Sequence, residues 1–569
     1  MKKAFSFSGI ILVFIYICFV QFAAHAQTLS ESTNSESQKI LASIFADHMV
    51  LQRNIKVPVW GYGKSGEKVT VIFQKHTKTG FVESNDKWRI DLDPLSSNNQ
   101  PQELTVTVGT KSQKILDVLV GEVWVASGQS NMASPVNSLQ NAKDVLANAE
   151  DSQLRFFTVA KKPASEPQTD LKGKWELCNS ESAKGFSAVA YFFATELRKT
   201  QKCPVAVLHA SWGGTSIETW ISLNGLKQDP AITKMVDLWD KAVIKYGEIQ
   251  ANPKLVSDYE AELKKYQKEV APVYNSFLKL YNDSVAKGIE VGKKPQPTLP
   301  EPSNPDPMGM PSPSRRPSTP TVNFNGMIAP LIPYAIRGVI WYQGENNGGA
   351  GIEYRALMPR LIEDWRNLWN QPGNALQYPF LWVQLPSNGE DKTPVAEKGW
   401  PLLREAQFMS LRVLKTGMAI TIDIGDPKNV HPADKFDVGQ RLSLVARKVA
   451  YGEKIVASGP LYQDFKTEKD GKIKLTFKET GSGLSIGQSP WYAPTVTPFP
   501  KDKLIGFFIA GSDKKWVEAV AKIDGNSIIV SSLQISNPVA VRYGWANSPR
   551  CNLYNKEGLP ASPFRTDVE

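Results

Sequence analysis

Between residues 118 and 422 the chain carries five short apolar runs, Val118–Ser127, Val205–Ala210, Ile336–Tyr342, Phe380–Leu385 and Met418–Ile422. Strands this uniformly apolar must be covered on both faces, and the helical stretches between them supply the cover. The pattern predicts a mainly parallel α/β sheet over residues 118–454.

The flanks read differently. From 40 to 117, alternating runs such as Val57–Gly61 and Val69–Phe73 sit between Gly and Asn turn signals and predict an N-terminal β-sandwich. Beyond 455, runs such as Val517–Ile523 and Ser527–Val530 predict a C-terminal β domain. Apolar residues at three-four spacing from Leu255 to Tyr281 predict an amphipathic helix kinked at Pro272. The Pro-rich stretch Pro295–Pro320 behind it cannot bury a core, so helix and stretch read together as an insertion at about 250–322. A length of 569 residues suits two to four such units.

At the N-terminus, Lys2 and Lys3 precede an apolar run from Ile10 to Phe19 and the small-residue triplet Ala24-His25-Ala26. This is the layout of a secretory signal peptide cut near Ala26, followed by a polar segment over 27–39, and it predicts a secreted or periplasmic protein. No later run approaches the ~18 apolar residues of a membrane span. Removing the two leader lysines takes the formal charge from +10 to 10 − 2 = +8. The charges are dispersed, which argues against a nucleic-acid partner. Cys178, Cys203 and Cys551 show neither close pairing nor metal-ligand spacing. They allow one disulfide at most, and no metal or other cofactor is expected.

Hydrolytic nucleophiles are displayed on tight turns after buried strands, where backbone N–H groups can face a developing oxyanion. The run Val118–Ser127 followed by Gly128-Gln129-Ser130-Asn131-Met132 has that layout and makes Ser130 the candidate nucleophile. A literal Gly-x-Ser-x-Gly match at Gly483–Gly487 and a second Gly-Gln-Ser at Gly487–Ser489 follow no buried strand and are rejected.

Serine needs a base, most often His. His25 leaves with the leader, His48 and His76 fall in the N-terminal β region, and His209 lies inside an apolar strand. His431 sits in a loop between a strand and a helix, where ligands meet open α/β sheets, and is the favoured base; His209 stays as the rival. Two further loops could stabilise negative charge: Ser211–Thr215, through its glycine N–H groups, and Trp341–Asn347, through the amide of Gln343 or Asn346.

The blocks Gly128–Met132, Trp212–Thr215, Trp341–Glu345 and His431-Pro432 resemble those of the sialate O-acetylesterase family within the SGNH hydrolases. Met49–Arg53, Val57–Gly61, Tyr543–Ala546 and Cys551–Asn555 extend the resemblance over nearly the whole mature chain. It implies an SGNH-type, flavodoxin-like sheet with helices on both faces. It also implies a serine esterase with an acetylated sugar or glycan as its substrate, removing O-acetyl groups from sialic acid, with Ser130 attacking and His431 taking its proton. The N–H of Ser130, that of Gly214 or Gly213, and the Gln343 amide would form the oxyanion hole. In this family pattern the triad Asp stands three residues before His, where this chain has Lys428. Asp426 is the expected orienting carboxylate, a backbone carbonyl is the alternative, and Asp434 is less favoured. Two other readings stay open: an acetyl esterase for plant polysaccharide such as xylan, and a non-catalytic glycan-binding surface protein.

Overall fold

The computed structural model describes residues 39–286, 289, 291–309, 316–371, 378–389, 398–487 and 500–567. The expected signal peptide, most of the polar segment behind it and positions 310–315 of the Pro-rich stretch lie outside the described residues.

Seven strands open the described chain: β1 (Val50–Gln52), β2 (Val57–Tyr62), β3 (Lys68–Phe73), β4 (His76–Phe81), β5 (Lys87–Leu92), β6 (Asn98–Val108) and β7 (Lys111–Gly128). Strand β7 is 18 residues long, and its burial pattern explains its two halves. Up to Leu116 it is largely exposed and pairs antiparallel with β6; from Val118 onward it is buried throughout. There it meets β1 in parallel register, then the strands that follow it in the chain. The expected sandwich is therefore not a separate body. Its β4-β3-β6 ladder runs through β7 into the α/β sheet, across the division expected at 117/118, while β2 and β5 pair apart.

The α/β sheet continues with β8 (Asp151–Val159), β9 (Gly173–Cys178), β10 (Val205–Ser211), β11 (Gly338–Tyr342), β12 (Phe380–Val383) and β13 (Thr416–Ala419). Their order is β13-β12-β11-β7-β10-β8-β9, parallel except for the edge strand β9. Taking β7, β10, β11, β12 and β13 as one to five gives the doubly wound order 2-1-3-4-5, extended past β10 by the β8–β9 hairpin. Both faces are covered. Trp124 of β7 meets Phe193 of helix α2 (Ala188–Gln201) edge to face. Trp341 pairs in register with Ser127, on the opposite face, and packs on Trp365 of α6 (Gly351–Trp369).

The amphipathic stretch is two helices rather than one kinked helix, α4 (Lys254–Glu269) and α5 (Ala271–Ala286), separated at Val270, two residues before Pro272. With α3 (Thr233–Ala251) they form the insertion, and Trp239 and Ala242 of α3 share a small separate core with Met308 and Val322. Beyond residue 460, ten short strands among the described residues build two four-stranded antiparallel sheets and one two-stranded sheet. The run expected as one strand over Val517–Ile523 breaks at Ala519 into Trp516–Glu518 and Val520–Asp524, which join different sheets. Cys178, Cys203 and Cys551 are buried free thiols. No helix among the described residues is long and apolar enough to cross a membrane.

Where β7 passes from one set of neighbours to the other it carries a buried carboxylate. Glu122 accepts from Arg53 beside β1, from Arg337 ahead of β11 at 2.7 Å and 3.2 Å, and from Gln52 at 3.2 Å. Removing it leaves two guanidinium groups facing a buried, unpaired position. Glu122→Ala should lower unfolding stability by about 3–5 kcal/mol, read as a shift in the urea midpoint.

Candidate active site

At the end of β7 the backbone is wedged between its two neighbours. Gly128 has φ +131°, and a Cβ there would stand 2.1 Å from the Tyr342 carbonyl oxygen. Its own carbonyl accepts from Trp212 N–H at 3.1 Å, and Gln129 N–H donates to Tyr342 at 2.9 Å. Only glycine fits so close an approach. The turn then starts the short helix α1 (Ser130–Ala133) with Ser130 half-buried at its first position.

The Ser130 hydroxyl lies 2.8 Å from His431 Nε2 across 301 positions of chain. His209, the rival base, is committed elsewhere: its Nε2 is 2.6 Å from Ser211 Oγ, and burial with the nearby Lys161 charge pushes its pKa down to about 4. Of the loop glycines, Gly213 is the one pressed on the nucleophile, since a Cβ there would come within 3.1 Å of Ser130 Cβ. Gly214, at φ +74°, turns away and lies under the Arg316 side chain. Among the described residues no acceptor takes the N–H of Ser130 or Gly213.

Gln343, expected as an oxyanion donor, is held within a network of side-chain bonds. Its side chain is fully buried, and its amide nitrogen already donates to Asn347 Oδ1 at 2.7 Å and Thr215 O at 3.1 Å, with Gln129 Oε1 at 3.2 Å. Tyr354 donates to its oxygen at 2.9 Å. Gln343 therefore clamps the nucleophile turn to the loop after β10. Asn346, the other amide considered, gives its backbone N–H to the same Gln129 oxygen at 3.2 Å.

Asp426 also departs from expectation. Its carboxylate accepts from Lys428 N–H at 2.8 Å, closing its own turn, and no recorded bond joins it to His431. Asp434 accepts from Asp437 N–H at 2.9 Å in the first turn of helix α7 (Phe436–Tyr451). Among the described residues no carboxylate contacts His431. Ser485 of the Gly483–Gly487 segment lies in an antiparallel ladder and donates to Asn555 O at 2.9 Å; Ser489 of the second Gly-Gln-Ser lies outside the described residues.

What holds the His431 loop is a buried chain of polar groups that sequence reasoning missed. Asn131, next to Ser130, donates to Val430 O at 2.9 Å and to Glu345 Oε1 at 2.5 Å. Lys435 donates to Asn131 Oδ1 at 2.6 Å and to Pro432 O at 2.8 Å. The carbonyls on either side of His431 are thus tied to the residue after the nucleophile. Burial pushes Lys435 down to about 8, against the pull of Glu345 and Asp434, and raises Glu345. Asn131 and Glu345 both stand inside the motifs named above, and Lys435 lies four residues after His431, just ahead of a helix.

These groups open into a cavity of about 610 Å³ lined by Ser130, Gly213, His431, Lys161 and Arg316, among others. Comparison with known proteins agrees with the chemistry. Residues 120–277 match the family model described as carbohydrate esterase, sialic acid-specific acetylesterase. Sialate O-acetylesterases of Rattus norvegicus and Homo sapiens are 29% and 28% identical, over 93% and 92% of this chain and 94% and 91% of theirs. A carbohydrate acetylesterase from Xanthomonas citri, solved by crystallography, is 32% identical with a TM-score of 0.72, covering 93% of this chain and all of that one.

The chain belongs to the sialate O-acetylesterase family. It is an esterase hydrolase. Within this esterase the family model takes in the Ser130 turn and the Gly213 loop, while Gln343, His431 and Lys435 lie beyond it.

Partial desolvation and the Lys435 charge both lower the His431 pKa below its ordinary 6.5. Activity that needs neutral imidazole should therefore rise with pH through a midpoint below that value. Lys435→Met removes a repelling cation, so the His431 pKa should rise and the acid limb of kcat/KM should move to higher pH. A limb that stays in place would show that the lysine does not act on the imidazole.

Proposed function

We propose that this esterase is an exported sialate O-acetylesterase that works through a Ser130 acyl-enzyme. The observation that carries the reading is the 2.8 Å approach of Ser130 Oγ to His431 Nε2 at the mouth of a cavity. In this scheme Ser130 attacks the acetyl carbonyl carbon as His431 takes its proton. The tetrahedral oxyanion faces the N–H groups of Ser130 and Gly213, and collapse releases the sugar alcohol, which receives the proton from His431. Water, deprotonated by the same imidazole, then frees acetate and restores the serine. Losing one oxyanion donor in such a site typically costs on the order of 100-fold in rate.

The dyad has SGNH character in its placement, after the first strand of a doubly wound sheet at the point where strand order reverses. Export rests on the leader-like N-terminus ending near Ala26. Edman sequencing of protein recovered from the periplasm or medium should begin near Gln27.

The catalytic test uses acetate release from acetylated sialic acid and from acetylated xylan, together with an aryl acetate. Ser130→Ala should lower kcat by at least ~10⁴-fold on every ester cleaved. Surviving activity would remove Ser130 as nucleophile, and faster release from xylan would move the substrate to plant polysaccharide. Asp426→Asn is expected to change kcat by less than about threefold, against the ~10⁴-fold loss seen when a triad carboxylate is replaced. A loss of that larger size would return Asp426 to the triad.

A further inference from the structure

We propose that Lys161 and Arg316 form an anion subsite beside Ser130 that takes a carboxylate carried by the acetylated sugar. The inference rests on Ser130 as the reacting serine and adds the part of the substrate it reads. Of the described residues lining the cavity, Lys161, Arg316 and Lys435 are cationic and none is Asp or Glu. Lys435 is sunk behind the nucleophile and already bonded to Asn131 and Pro432, so it contributes field rather than contact. Lys161 has no recorded acceptor among the described residues.

The two cations are delivered by segments that are built to stand together. Lys161 follows β8, whose end lies beside that of β10 in parallel register, His209 opposite Thr158. Arg316 belongs to the strap that returns from the insertion, and its aliphatic stem lies on Gly214. Ala164 N–H donates to Val322 O at 3.0 Å, and the Asn325 amide donates to Ala164 O at 3.1 Å and Ser165 O at 2.9 Å. The same strap is fixed to the loop after β10 by Thr321 N–H on Glu218 O and by Asn323 on Thr219 Oγ1 at 2.8 Å. Partial burial and the Arg316 charge lower the Lys161 pKa, the direction expected where two cations converge. An anion placed there removes that repulsion and gains charge-assisted hydrogen bonds.

A neutral acetylated pentose offers nothing to these groups, whereas a sialic acid or a uronic acid offers a carboxylate. The test is titration calorimetry on the full mature chain carrying Ser130→Ala, which holds ligand without turnover. The probes are N-acetylneuraminic acid, its carboxamide, and a xylo-oligosaccharide with and without a glucuronic acid branch. The acid should bind about tenfold tighter than its uncharged partner, and the preference should vanish when Lys161→Met or Arg316→Gln is added. It should also weaken with added salt. A preference confined to the glucuronic acid pair supports the subsite and assigns the carboxylate to a uronic acid. Tenfold tighter binding of N-acetylneuraminic acid without acetate release from its acetylated form by the unsubstituted enzyme keeps the subsite and removes the substrate reading. Equal affinities within both pairs, or a preference that survives both substitutions, overturn the subsite.

Discussion

The architecture depends on one strand being asked to satisfy two sheets. Residues 111–114 of β7 have polar, exposed side chains suited to an edge ladder, and residues 118–128 are apolar enough to lie at the centre of a doubly wound sheet. The handover falls at Gly121, where any Cβ would strike the Pro204 carbonyl, and at Glu122, whose N–H donates to that carbonyl. A buried carboxylate is costly unless it is fully paired, and here the pairing groups come from beside β1 and from the segment entering β11. The charge therefore fixes which elements flank the strand, and through them the position of the turn six residues further on where Gly128 admits Tyr342.

With the turn placed, the second requirement is to hold an imidazole against a serine without a carboxylate behind it. The chain solves this through the backbone of the His431 loop rather than through the ring. Asn131 and Lys435 grip the carbonyls on either side of His431, and Glu345 balances the lysine through the Asn131 amide. Because Asn131 adjoins Ser130, nucleophile and base are referred to one side chain. Gln343 does the corresponding work for the loop after β10, joining it to the nucleophile turn through Gln129 and Thr215.

Much of this was legible in the residues, and the parts that were not share a physical reason. Uniform burial marks β7, β10, β11, β12 and β13, because apolar runs leave a pattern that does not depend on partners. Ser130 and His431 could be singled out because a turn after a buried strand is a local feature and histidines are few. The continuity of β7 was hidden, because its texture changes along it while the strand itself runs on unbroken, and a change of texture reads as a boundary. The bonds made by Gln343 and Asp426 could not be read in advance, because a side chain's direction is decided by contacts from distant segments. Asp426 could as readily close its own turn as reach an imidazole, and the nearer acceptor geometry prevailed. Lys161 and Arg316 carried no signal at all until the fold brought positions 155 apart in the chain onto one cavity.

The electrostatics of that cavity follow from the lack, among the described residues, of a carboxylate on His431. In a Ser-His-Asp arrangement the imidazolium formed during attack is stabilised by the Asp charge. Here Lys435 faces it instead, so the neutral base is favoured in the resting enzyme and the charged form gains nothing from its surroundings. The compensation has to come from the reacting partner. In the proposed mechanism a tetrahedral oxyanion forms at the moment the imidazolium does, and the cations lining the cavity, Lys161, Arg316 and Lys435, would supply a field that favours that negative charge. An acidic sugar adds a second negative charge to the same space before the reaction begins, which lowers the cost of charging His431. In this reading the recognition of an anionic substrate and the operation of a dyad without its Asp are one electrostatic design, since the substrate supplies part of the negative field that the protein leaves out.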